Sequence, residues 1–426
     1  MSVEGKEFDF VVYGASGFTG QFVVEELAVV TEKTAYKWAV AGRNRQKLRK
    51  ALSEVGDRLG RNLRDVSIIE ADSSSEQSLA DMARKARCVL NCVGPYRLYG
   101  EAVVKACVEN GADHVDISGE PEWLEQMQLQ YHSEAQGKGV YVVGSCGFDS
   151  VPADLGVVFL KRHFHSSTGG EINSVETVLQ MHPSQTHGYA LNAGTYQTAI
   201  LGISHRSDLK AIRSKLMLQR LPKPSHRLAG RGMLSFHENA GAHVLPFLGS
   251  DRSVVNRTTY FNFVERKERP IQTQCYVRHS SLFWSCLVAA WMALFGVMAQ
   301  FSWTRWLLQT FPDICSFGMF RSAGPTREQV EETTMTYSFY ASGWKQKLPL
   351  EEQHQDKPTE SMAASVTGPD PGYLLTSRAL VACALTIHEE RDKLPAVGGV
   401  YTPGAAFQDT DIFTRLGQRD VQFKIL

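Results

Sequence analysis

The chain has 426 residues, with Lys+Arg and Asp+Glu equal at 45 each. That length allows about two or three domains with sizeable cores. The even charge argues against a nucleic-acid binder, which carries a net basic surface.

The elements begin with a short apolar run, Phe10–Tyr13, that ends in glycines at 14, 17 and 20. Phe22, Val23, Leu27 and Val30 then follow at helical spacing. Strand, glycine turn and helix together set backbone N–H groups and a helix N-terminus against a dinucleotide pyrophosphate. The candidate phosphate loop is Gly14, Ala15, Ser16, Gly17, Phe18, Thr19 and Gly20. Its spacing is G-x-x-G-x-x-G, so the flanking elements carry the reading as much as the glycines do.

Further strands are expected at 38–41, 66–69, 88–93, 114–117 and 140–143, with helices between them. One helix spans 101–110, and another starts at Pro121. Such alternation predicts a parallel sheet, α/β in class, with ligands at the carboxyl ends of the strands. An NAD enzyme places an acidic residue after the second strand; here Arg43 stands there. An arginine binds a 2′-phosphate that a carboxylate would repel, so NADP(H) is favoured over NAD(H). Asp72 falls on the adenine side, or caps a turn with Ser73–Ser75. Asn91, Gly94 and Pro95 would lie under the nicotinamide ribose, and Gly94-Pro95 also reads as a plain turn.

The eight cysteines form no Cys-x-x-Cys pair and have no histidine at metal spacing, so no metal site is expected. With no signal-peptide pattern and a first strand about ten residues in, an intracellular location is expected.

Several motifs together resemble the saccharopine dehydrogenase family: GASGFTG at 14–20, Arg43, NCVGPY at 91–96, DISGE at 116–120, GFDSVPADLG at 147–156 and GGVYTPGAAF at 398–407. The resemblance implies a Rossmann-type domain with a second α+β domain inserted before a C-terminal return. The corresponding boundaries are 1–148, 149–395 and 396–426. It also implies either saccharopine-type imine reduction or, through similarity to bacterial trans-acting enoyl reductases, reduction of a lipid-bound chain.

In the second domain, Ser150 and Pro152 suit the start of a helix. Asp149 is a candidate substrate contact, with helix capping as its alternative, and Tyr96, Phe148 and Tyr196 complete the candidate substrate set. The histidines at 182, 187 and 205 belong to no motif. Residues 206–231 hold eight Lys/Arg and one acidic residue, which reads as a solvated run or a contact for anionic lipid.

Residues 280–304 contain no charge, with Trp284 near one end and Trp303 and Trp306 near the other. This long apolar helix has three readings: a span, a helix embedded in one leaflet of a membrane or lipid droplet, or a helix buried in a homodimer interface. After it come a strand at 333–340, a polar loop at 351–368, a helix at 373–388, and a closing helix and strand at 412–416 and 421–426. The chain therefore reads as an NADP(H)-dependent oxidoreductase acting on a small-molecule or lipid substrate at a membrane or lipid-droplet surface. The alternative is a nucleotide-binding scaffold without turnover, because no catalytic acid or base stands out.

Overall fold

The computed structural model describes residues 5–204, 208–279 and 281–426. Within it, the chain divides into two compact units. One runs up to Phe148 and adds Gly372–Leu416; the other is Asp149–Pro371 with Gly417–Leu426.

The first unit is built on seven parallel strands. In chain order these include β1 (Phe8–Tyr13), β2 (Trp38–Gly42), β3 (Ser67–Glu70), β4 (Ala86–Asn91), β5 (Asp113–Asp116) and β6 (Tyr141–Val143). The strand Gly399–Tyr401 pairs with β6, and the spatial order is Gly399–Tyr401, β6, β5, β4, β1, β2, β3. The order reverses between β1 and β4, which makes that junction the switch point of the sheet. β1 is buried along nearly all its length because helices cover both faces, as the apolar run from Phe10 to Tyr13 requires.

The helices that follow the first five strands are α1 (Phe18–Thr31), α2 (Arg45–Leu59), α3 (Glu76–Lys85), α4 (Tyr96–Glu109) and α5 (Pro121–Lys138). Their ends carry local signals. Asn44 caps α2 by accepting from Lys47 N at 3.0 Å, and Ser75 caps α3 by accepting from Ser78 N at 3.3 Å. α4 starts at Tyr96, five residues before the expected 101. Its cap comes from another element: the Glu120 carboxylate accepts from Tyr96 N at 2.8 Å and Arg97 N at 3.1 Å. No local pattern at 96 reports a partner 24 residues downstream.

The second unit holds a mixed seven-stranded sheet. Its helix α6 (Val151–Thr168) precedes its longest strand, β7 (Glu171–His182). β7 pairs in parallel with Gln272–Arg278 and antiparallel with Thr334–Trp344. Gly156 lets α6 sit directly on that sheet: a Cβ there would lie 2.2 Å from the Phe339 ring.

The domain boundaries after 148 need correction. The helix Thr376–Glu389, assigned above to the inserted domain, packs on α1, β4 and β5, so the return to the first unit begins at Gly372 rather than 396. The last residues leave the first unit again, because Gln422–Ile425 pairs with Glu360–Pro369. Glu360–Pro369 is itself a strand where a polar loop was expected over 351–368; Ala364 and Val366 alternate into the core behind a polar approach.

The apolar stretch 280–304 is not one long helix. It forms Leu282–Met298, breaks, and resumes as Ser302–Thr310, with Thr304 Oγ1 donating back to the Phe301 carbonyl at 3.1 Å. Among the described residues no helix is long and apolar enough to cross a membrane. Ser280, His205 and the Arg206-Ser207 start of the basic run lie outside the described residues.

Candidate functional site

The loops after β1 and β4 meet at the switch point. Gly14 N donates to Ala41 O and Cys92 N to Tyr13 O, each at 2.9 Å, so the glycine turn is tied to both neighbouring strands. Gly14 has φ +85°, and a Cβ there would lie 2.7 Å from Val93 Cγ2. Gly17 N closes the turn onto Gly14 O at 2.9 Å. Gly20 is the tightest point: its Cβ would fall 2.2 Å from Gly14 O. The turn is thus a backbone cradle with its middle, Gly17, exposed and its floor, Ala15 and Gly20, buried. No side chain caps α1, so its N-terminus is left to a ligand. The half-buried Phe18 ring packs edge-on against Tyr373 at 4.8 Å between centroids. Residues of this kind fit a dinucleotide pyrophosphate.

Arg43 follows β2 and is exposed. Asp72 follows β3, and its Oδ1 accepts from Ser74 N at 2.9 Å and Ser74 Oγ at 2.8 Å. Those two bonds, with help from Arg43, hold the carboxyl below the usual range. Asp72 therefore organises the loop as a turn cap while facing a cation. Tyr13 OH lies 3.1 Å from Ser73 Oγ and ties the same loop to β1.

On the other side of the switch point, Asn91 is fully buried. Its Oδ1 accepts from Val93 N at 3.0 Å, which ends β4 short of the expected 93. Its Nδ2 lies 3.4 Å from His114 Nε2, and His114 Nδ1 lies 3.7 Å from Asp116 Oδ2. Burial pushes the His114 pKa down to about 3, so the contact with Asp116 is that of a neutral imidazole, not an ion pair. Asp116 Oδ1 accepts from Ser118 N at 2.8 Å and Ser145 N at 3.1 Å, joining the loops after β5 and β6. Gly94 is exposed and Pro95 half-buried beside this framework. Tyr96 is not open to a substrate. It is buried, with its hydroxyl donating to Asn91 O at 2.8 Å and accepting from Ile117 N at 3.3 Å. Phe148 N donates to Thr376 Oγ1 at 3.1 Å, and its side chain is half-buried. His114, Asp116 and Glu120 were missed from sequence; the DISGE motif contained two of them without showing what they hold.

The saccharopine dehydrogenase NADP binding domain matches residues 10–143, the stretch that carries this framework. A saccharopine dehydrogenase-like oxidoreductase of Homo sapiens is 40% identical over 100% of this chain and 99% of its own length. The chain belongs to the saccharopine dehydrogenase-like oxidoreductase family. NADP(H) is its cofactor. A lipid droplet localized protein of Caenorhabditis elegans is 44% identical over 98% of both chains. In fold, this family member is similar to apo saccharopine dehydrogenase (L-Glu forming) of Saccharomyces cerevisiae, with a TM-score of 0.55 and 14% identity over 98% of this chain and 100% of that one.

The remaining candidates lie in the second unit, and two of them have no common site. Tyr196 is fully buried among Phe295, Phe320 and Leu308, which removes its hydroxyl from solvent and pushes its pKa up. Asp149 belongs to an acidic cluster. Ser150 does not cap α6 with its side chain; its hydroxyl and that of Ser250 both donate to the Asp149 carbonyl. The Asp149 side chain receives Ser250 N at 3.4 Å. Asp154 accepts from Thr258 Oγ1 at 2.8 Å, and fully buried Asp251 accepts from Tyr337 OH at 2.5 Å.

Burial pushes the Asp149 carboxyl up to about 7, and burial together with the Asp149 charge pushes Asp251 well above the usual carboxylate range. An acid whose folded pKa is raised binds more protons folded than unfolded. Its contribution to stability is therefore present at low pH and lost as pH rises from about 4 to 7 and above. Asp251→Asn is expected to flatten the fall of the thermal midpoint with rising pH relative to the parent chain. A scan of midpoint against pH checks this, and parallel curves would refute it.

Proposed function

We propose that this family member is a reductase that takes NADP(H) at the β1–β4 switch point and acts on an apolar or lipid-linked substrate at a lipid surface. The turn from Gly14 to Gly20 binds the pyrophosphate. Arg43 binds the 2′-phosphate, and Asp72 borders the adenine. Asn91, Gly94 and Pro95 border the nicotinamide ribose, with Asn91 held in place by His114 and Val93. When bound, the cofactor supplies the hydride; this chain binds and orients it.

One observation supports this most: an exposed Arg43 follows β2 where an NAD site would carry a carboxylate. The lipid part of the reading is supported by the name of the C. elegans relative and by a trans-acting enoyl reductase of Mycobacterium leprae, 38% identical over 50% of this chain. NADPH absorbance followed with a panel of unsaturated and carbonyl-bearing lipids tests it. Consumption of NADPH that depends on one lipid class, with a reduced product by mass, is expected.

A second reading, a nucleotide-binding scaffold without turnover, is favoured by the acid–base groups around the switch point. Tyr96, Asp116 and Glu120 all hold backbone groups there. NADPH binding without consumption across the panel would select it.

A further inference from the structure

The helix Leu282–Met298 breaks the usual rule for apolar helices. Only Ser285 and Phe295 of its 17 residues are buried, although a helix apolar all round is ordinarily sunk in a core or in lipid. Its exposed positions include Leu282, Phe283, Trp284, Leu287, Leu294 and Val297. At about 100° per residue these cover more than half of the circumference. The next elements extend the same surface, with Trp303 72%, Trp306 62% and Phe317 89% exposed. Patches of this size mark an interaction surface.

We infer that this lobe, from Leu282 to Phe317, enters a single phospholipid leaflet lying in its plane, and so holds the protein on the surface. This deepens the proposed function and rests on its lipid-surface part, not on its reductase part. Four observations choose a leaflet over a second copy of the chain or a crossing.

The first is shape. An isologous protein contact covers one stripe of a helix, whereas fluid acyl chains cover an arc of any width. Charge is the second. From Leu282 to Phe317 the lobe carries one cation, Arg305, and one carboxylate, Asp313, which accepts from Ser322 N and Ser322 Oγ near the lobe's end. Among the described residues no ion pair joins Arg305, Arg278 or Arg321 to a carboxylate, and Arg305 and Arg321 donate to the carbonyls of Gln300 and Gly318, so the rim suits anionic headgroups. Length is the third. The helix of 17 residues reaches about 25 Å, short of the roughly 30 Å of a bilayer core.

Connectivity is the fourth. The strand before the lobe, Gln272–Arg278, pairs with β7, and the strand after it, Phe320–Arg321, pairs with Leu191–Asn192 in the same unit. The chain therefore leaves and re-enters one folded body. The lobe is also pre-built. Trp291 stacks on Phe295 at 5.1 Å and its Nε1 donates to Cys315 O at 3.1 Å, which ties the helix to the following turn. Phe295 and Ala299 pack on Tyr196, Ile200 and Leu308. The buried Tyr196 thus supports the lobe. Trp284, Trp303 and Trp306 stand where interfacial anchors belong.

Flotation of the full chain with triolein droplets coated in phosphatidylcholine and phosphatidylserine tests this. The parent chain is expected to float. Trp303→Glu combined with Phe317→Glu, both at exposed positions, is expected to cut the floated fraction about tenfold or more, by placing charge where acyl chains were. NADPH binding should be equal in both. Brominated lipids supply a readout without mutation: tryptophan emission should be quenched by bromines near the headgroup and not by bromines near the chain ends. Failure of the parent to float, equal flotation of the variant, or equal quenching at both depths would overturn the proposal. So would a dimer in sedimentation that the same variant dissociates. Loss of NADPH binding or turnover with flotation intact would sink the reductase reading alone.

Discussion

Gly20→Val is expected to abolish measurable NADPH binding and to lower the thermal midpoint of the chain. A Cβ at 20 would sit 2.2 Å from Gly14 O and 3.0 Å from Ala15 Cα. Both neighbours are backbone, so no flexible side chain can swing aside. α1 must lift off the turn, and its N-terminus moves from the place proposed for the pyrophosphate. Overpacking of this kind costs about 1–3 kcal/mol, or on the order of 3–10 °C in midpoint for a unit of this size. The loss of binding is expected to exceed what that destabilisation explains, because the cradle itself is displaced. Gly137→Ala is the control. It lies in α5 with nothing within 4 Å of its Cβ and should leave both binding and midpoint close to the parent. Calorimetric titration and a thermal melt read both variants.

Arg43→Asp is expected to reverse the cofactor preference while leaving the fold unchanged. Arg43 is exposed and follows β2, so removing it empties no core. A charge-assisted hydrogen bond is worth about 1.5–3 kcal/mol, and replacing the cation with a carboxylate adds repulsion of the 2′-phosphate. NADPH affinity should fall about 10- to 100-fold or more. NADH, which carries no 2′-phosphate, should bind as well as before or better, because a carboxylate there accepts from the ribose hydroxyl. Asp72 provides an independent check. Its carboxyl is held low partly by Arg43, so the variant should raise the Asp72 pKa, and an NMR titration of that carboxyl would show it. Unchanged affinity for NADPH would remove Arg43 from the site.

Local pattern made the first unit legible. β2 and the Phe10–Tyr13 part of β1 are unbroken apolar runs, and the glycine spacing needs no distant partner to be recognised. What stayed hidden depends on contacts far apart in sequence. The cap on α4 comes from Glu120, and Asp149 meets Ser250 and Asp251 about a hundred residues later. The helix Thr376–Glu389 is apolar along most of its length, which says that it is buried but not that it packs on α1 and β4.

The stretch at 280–304 misled through composition. Counting charges reported one apolar segment, whereas the chain turns after Met298 and restarts at Ser302. Tyr96 and Tyr196 show the same limit for single residues. A tyrosine beside a predicted loop looks available, and only the fold reveals that one hydroxyl is bonded to Asn91 and the other is enclosed by aromatic rings. The residues proposed for the cofactor end are backbone and one cation, a pattern that stands in the sequence itself. Side chains converging from separate elements, the kind of arrangement that would define a substrate, leave no comparable trace in the sequence.

In the proposed function a backbone cradle at Gly14–Gly20 holds the nucleotide and Arg43 selects it. Calorimetric titration of the full chain with NADPH and, separately, NADH tests that directly. Binding of NADPH about tenfold or more tighter than NADH is expected, the difference being the 2′-phosphate held by Arg43. Equal affinities for the two nucleotides, or heat from neither, would contradict it.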